Sequence, residues 1–173
     1  MSLWSTSTDK QGKTGCILEG SLVSTGYVTH MTVFKKQSRS FVAATTLNHL
    51  VHYDFGSTDI KGLYKLSNAH EDDITGVSRD PSMVTQFVSC SKDRTVVMWD
   101  LRIQGPEVKN LLYKSEELMF NGIRWCDAEE NKGLIMAGAD DGCIYSIDLR
   151  RPRSFISKMK VANTPVLKIV FDG

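Results

Sequence analysis

Three residues of this chain are of the types that hydrolyse esters and amides: His70, Ser89 and Asp93. A Ser nucleophile, a His base and an Asp that orients the His form a triad when the Ser is exposed beside an oxyanion hole. Ser89 instead sits in the middle of an apolar run, Gln86-Phe87-Val88-Ser89-Cys90-Ser91. The sequence also has no Gly-x-Ser-x-Gly elbow to present a nucleophile. A serine hydrolase working through Ser89 is therefore the minor reading, and the expectation is that the chain is not an enzyme. The carboxylate pairs Asp72-Asp73 and Asp140-Asp141 fall in loops, where turn formation and solvated charge explain them better than acid–base catalysis. Arg150-Arg151-Pro152-Arg153 is basic but has no interleaved aromatics, which reads as a solvated loop rather than a nucleic-acid contact. There is no phosphate-binding loop, and the histidines and cysteines lack metal-ligand spacing. No cofactor and no metal are expected.

The elements that would hold these residues are short. Ile74 to Ser78, Gln86 to Ser91 and Thr95 to Asp100 are three apolar runs at hairpin spacing, each bounded by polar turn residues. They predict a small antiparallel sheet, with Leu63 to Ser67 as its outermost strand. The pattern recurs: Asp100 lies 46 residues after Asp54 and 48 before Asp148, and Trp4 lies 49 before Tyr53. Regular spacing of this size is the mark of a repeat architecture.

Trp99-Asp100, with Asp93 six residues before the Trp, Ser89 on the middle strand and His70 ahead of the first, resembles a WD repeat. The resemblance implies a four-stranded blade of a β-propeller. It also implies a hydrogen-bonded chain running from the Trp99 indole to Ser89, from Ser89 to His70, and from His70 to Asp93. An indole donor, a hydroxyl, an imidazole and a carboxylate suit that order. The flanking repeats depart from the pattern. Ala137 replaces the Ser, Ile147 replaces the Trp, and Leu47 stands where the turn Asp belongs.

On this basis the chain is expected to be an all-β segment of about three and three-quarter blades, a partial propeller. Its units are residues 1–6 (partial), 14–54, 62–102, 108–150 and 153–173 (partial). The expected innermost strands begin at Val28, Ile74, Gly122 and Val166. Residues 35–39 and 8–13 read as solvated or flexible connections. Such a segment does not close on itself, so a longer chain or a partner is expected to complete it.

Composition sets limits on the rest. At 173 residues, with 41% apolar and 24% charged residues, the chain can bury a sizeable core. A net charge of +1 argues against binding nucleic acid through bulk charge. No apolar run approaches the roughly 20 residues of a membrane helix, and the first residues lack the plan of a secretion signal. Four cysteines without Cys-x-x-Cys pairing suggest reduced thiols in the cytoplasm or nucleus.

Propellers without catalytic residues act as rigid platforms for other proteins. Two resemblances sharpen this. His70-Glu-Asp-Asp-Ile-Thr-Gly-Val-Ser78 and Phe87-Val-Ser-Cys-Ser-Lys-Asp93 resemble the WD-repeat subunits of methylosomes. That likeness implies a scaffold that holds a symmetric protein arginine methyltransferase and presents Arg-rich substrates. Trp99-Asp100-Leu101-Arg102 resembles the box of cullin-4 ubiquitin-ligase receptors, in which Asp100 and Arg102 would dock the adaptor. The plainer alternative is that Arg102 caps a strand end and pairs with a nearby carboxylate.

Overall fold

The computed structural model describes residues 2–8, 14–21, 27–34, 40–55, 60–66, 69–103, 109–127, 133–150 and 155–171. The expected connection at 35–39, that at 8–13 apart from Thr8, which ends a strand, and Arg151-Pro152-Arg153 lie outside them. The described chain is all-β, with fourteen strands and no helix. Strands β1 (Ser2–Thr8) and β2 (Thr14–Ser21) pair as an antiparallel hairpin. The other twelve form three four-stranded antiparallel sheets.

Each sheet is a meander in chain order. The first joins β3 (Val28–Val33), β4 (Ser40–Thr45), β5 (Leu50–Phe55) and β6 (Ile60–Leu66). The second joins β7 (Ile74–Arg79), β8 (Gln86–Ser91), β9 (Thr95–Asp100) and β10 (Lys109–Lys114). The third joins β11 (Phe120–Trp125), β12 (Leu134–Ala139), β13 (Cys143–Asp148) and β14 (Phe155–Lys160).

One expected partnership is corrected. The strand around Leu63 is not the outer strand of the sheet that holds Trp99; β6 pairs with β5, and β10 closes the second sheet against β9. In each sheet the fourth strand follows the third after a connection of a few residues, so it folds back on that strand at once. The sequence repeat and the sheet are therefore offset by one strand. Likewise β14 pairs with β13 and completes the third sheet, and does not begin a further one.

The first strands begin at Val28, Ile74 and Phe120, a step of 46 residues each time, and β7 lies between β3 and β11. Another step of 46 reaches Val166, where a further strand was expected. Residues 166–171 form no ladder, because no antiparallel neighbour stands beside them among the described residues. They nonetheless follow the path of a first strand. Val161 N donates to Gly142 O just as Ser115 N donates to Arg94 O, and Val166 N reaches Ala139 O. The backbone of Leu167 comes so near Gly122 that a Cβ there would stand 2.8 Å from the Leu167 carbonyl oxygen.

Two apolar layers hold the sheets together. Phe34, Val42, Leu50, Phe87 and Trp99 fill the space between the first and second sheets. Val88, Val96, Phe120, Trp125, Ile135 and Ile147 fill that between the second and third. β4 and β8 are covered on both faces, which is why they carry long apolar runs rather than an alternation. One aromatic or aliphatic pair recurs at the same register: Phe41 opposite Tyr53, Phe87 opposite Trp99, Ile135 opposite Ile147. The first two pairs stack, with ring centroids 4.8 and 6.0 Å apart.

Candidate functional site: a buried polar chain and two arginine clamps

Ser89 lies mid-strand in β8, opposite Val97 of β9. Trp99, two residues further along β9, turns its indole back over β8. Its Nε1–H donates to Ser89 Oγ at 2.8 Å. His70, in the loop before β7, places Nε2 2.7 Å from the same oxygen. The other ring nitrogen, Nδ1, stands 2.9 Å from Asp93 Oδ2 and 2.9 Å from Thr95 Oγ1. One proton arrangement satisfies every atom. Trp99 donates to Ser89, Ser89 donates to His70 Nε2, and the proton on Nδ1 is shared by Asp93 and Thr95.

Asp93 is the terminus that collects donors. Besides His70 it accepts Glu71 N at 2.9 Å, Thr95 N at 3.0 Å and Thr95 Oγ1 at 2.6 Å. Burial alone would raise its pKa, but the hydrogen bonds from His70, Thr95 and the Glu71 amide outweigh it and hold the carboxyl well below the usual range. The turn bearing Asp93 is fixed in its own right. Arg94 takes the left-handed φ of 69° that a tight hairpin requires, and Ser91 Oγ donates to Asp72 O while accepting Asp93 N.

All four residues expected to form a chain are thus brought together. Thr95, Glu71 and Ser91 were not anticipated. The signal for Thr95 was its place two residues after a turn Asp, where its amide and hydroxyl both reach back to the carboxylate. Lys109 also went unnoticed. From β10 it donates to the Ala69 carbonyl at 2.8 Å, with its ammonium 6.0 Å from the centre of the Trp99 ring.

The Ser–His–Asp distances are those of a hydrolytic triad, but the setting is not. Ser89 is 0% exposed and its oxygen is engaged by an indole. Cys90 beside it is equally buried, and burial pushes its thiol up to about 12. Among the described residues no group of three or more His, Cys, Asp or Glu is placed to hold a metal ion.

The neighbouring sheets satisfy the same positions by other means. Ala137 and Ala43 stand where Ser89 does, opposite Tyr145 and Val51. Asp141, in the turn equivalent to that of Asp93, has no histidine. It accepts Cys143 N at 3.0 Å, the Tyr145 hydroxyl at 2.7 Å and an ion pair from Lys158 at 2.9 Å.

At the opposite end of β9, Arg102 folds back on Asp100. Its Nε donates to Oδ1 at 2.9 Å and its Nη2 to Oδ2 at 2.5 Å, while Gln86 Nε2 adds a bond at 3.0 Å. The Arg102 hydrogen bonds hold the Asp100 carboxyl well below the usual range. Arg150 repeats the clamp on Asp148, at 2.8 and 2.7 Å. The expectation that Arg102 pairs with a nearby carboxylate describes this geometry, although its side chain is 58% exposed.

Fold and site together define an all-β repeat protein whose second sheet is fastened by a buried polar chain. The chain is 29% identical over 130 residues to Protein valois of Drosophila melanogaster, a match covering 73% of this chain and 35% of that protein. It thus spans about a third of the length of that relative. No protein-family model matches the sequence.

Proposed function

We propose that this chain is a segment of a WD-repeat β-propeller and that it serves as a non-catalytic platform for protein–protein interaction. The observation that carries the reading is the hydrogen-bonded chain Trp99–Ser89–His70–Asp93, set in one of three meanders that repeat at near-constant spacing. A buried serine whose oxygen is engaged on both sides suits a fastening role, and rigid sheets leave loops at either rim to meet partners. The three described thiols, Cys90, Cys126 and Cys143, are free and buried, in keeping with a cytoplasmic or nuclear setting.

Within this class the partner we favour is a protein arginine methyltransferase, with Arg-rich proteins as the substrates presented to it. This follows from the likeness of residues 70–78 and 87–93 to methylosome WD-repeat subunits. Affinity capture of the protein at moderate salt tests it. An arginine methyltransferase should co-purify in near-equal amount, and Arg102→Ala should leave its capture unchanged. Recovery of a cullin-4 adaptor instead, lost on Arg102→Ala, would replace this reading with that of a ubiquitin-ligase receptor. The exposed face of the Arg102 guanidinium leaves that route open, but its bidentate hold on Asp100 already gives it a structural role.

A further inference from the structure

The first strands of the three sheets and residues 167–169 enclose a groove of about 390 Å³. Its charged and titratable lining residues are His30, Arg124 and Lys168, with hydroxyls from Thr29 and Thr75. No carboxylate lines it among the described residues. This local excess of cations sits in a chain of net charge only +1.

We propose that this groove binds an acidic, extended peptide segment, a carboxylate side chain entering among Arg124, Lys168 and His30. The cations are available for it. Arg124 meets Asp127 only at 3.6 Å, across an exposed pair, and its Nε is buried without a hydrogen-bond partner. Arg102 and Arg150, by contrast, are each held by two short bonds to their own aspartates. Lys168 is exposed and makes no ion pair among the described residues.

The walls suit a peptide. β3, β7 and β11 each give three consecutive residues to the lining, which suits an extended segment held through its side chains, since the Arg79 and Trp125 amides on the strand edges are already taken by the Thr32 and Ser78 hydroxyls. Met31, Val77 and Leu167 add aliphatic surface, with Leu167 72% exposed. Among the described residues no aromatic side chain lines the groove, so these offer no platform on which bases could stack. The inference does not depend on which large partner the rims hold. The capture experiment above leaves these residues untouched, so the two readings fail separately.

Fluorescence anisotropy on the full chain tests it. The probes are a labelled peptide carrying Glu-Leu-Glu in a Gly-Ser frame, its Gln-Leu-Gln counterpart, and a labelled oligothymidylate. The acidic peptide should bind about tenfold or more tightly than the Gln peptide, and oligothymidylate should bind no better than the Gln peptide. Arg124→Gln with Lys168→Gln should weaken the acidic peptide by about tenfold or more, while Lys92→Gln, on an exposed turn, should not. If the double variant fails to fold, Lys168→Gln alone should still weaken binding. A bound carboxylate should also raise the pKa of the His30 imidazole, which burial lowers in the free protein. No binding of the acidic peptide would overturn the proposal. So would equal binding of the Gln peptide, indifference to Lys168→Gln, or tighter binding of oligothymidylate.

Discussion

The amide of Trp125 donates to Ser78 Oγ at 2.9 Å, a bond from the first strand of the third sheet to the first strand of the second. The amide of Arg79 donates to Thr32 Oγ1 at 3.2 Å, repeating that bond one sheet earlier. Donor and acceptor both shift by 46 residues between the two cases. A hydroxyl on β3 and another on β7 thus each cap a main-chain donor of the next first strand. Both apolar layers between sheets are thereby tied at the same height.

Ser78→Ala should remove this tie and leave the buried Trp125 amide unpaired. The expected loss is about 1–3 kcal/mol. Urea denaturation should show a lower midpoint with an unchanged slope. An unaltered midpoint would mean that the bond adds nothing.

Trp99→Ala should cost roughly 3–5 kcal/mol, through lost packing on Phe87 and loss of the indole donor to Ser89 Oγ. Trp99→Phe keeps a ring against Phe87 but removes the donor, and should cost less. Ser89→Ala and Trp99→Phe share one hydrogen bond, so their effects should not add. A double-mutant cycle should give a coupling of about 0.5–3 kcal/mol, whereas strict additivity would show the buried chain to be energetically disconnected.

Asp93 gives stability a defined acid limb. Its carboxyl is held below the usual range in the folded state. An unfolded Asp titrates near pH 4, as a rough guide. Above that value the stabilisation is fully present; as pH falls below it, toward the folded pKa, protonation removes it. Thermal melts should therefore fall in midpoint below about pH 4. Asp93→Asn should be less stable at neutral pH and lose less on acidification. Asp100 and Asp141 are depressed in the same direction, so some slope should persist in that variant.

Ser89 should resist a fluorophosphonate probe in the folded protein, because the hydroxyl is fully buried and engaged by the indole. Mass spectrometry of the digested protein reads this directly. A tag on Ser89 would sink the fastening role and restore the hydrolase reading.

Much of the second sheet was legible because its signals are local. Phe87, Val88, Val96 and Trp99 lie in short apolar runs, and their bounding turn residues marked the strand ends to within a residue or two. The partners of Ser89 were legible only through resemblance, since His70 lies 19 residues away and nothing local links them. Glu71 N and Thr95 Oγ1 were missed because a backbone donor carries no residue signature and a threonine in a strand reads as strand propensity.

By itself the sequence determined the all-β character, the positions of most strands, the step between repeats and the turn at Asp93. These depend on side-chain type over a few residues. Only the tertiary structure decided which sheet each strand joins. Leu63 lies near enough in sequence to either sheet, and its strand went to β5 because the short connection between them favours immediate antiparallel return. The same holds at residues 166–171. Their apolar pattern is that of a strand, but a strand exists only with a neighbour to bond in a ladder, and no described strand pairs with them.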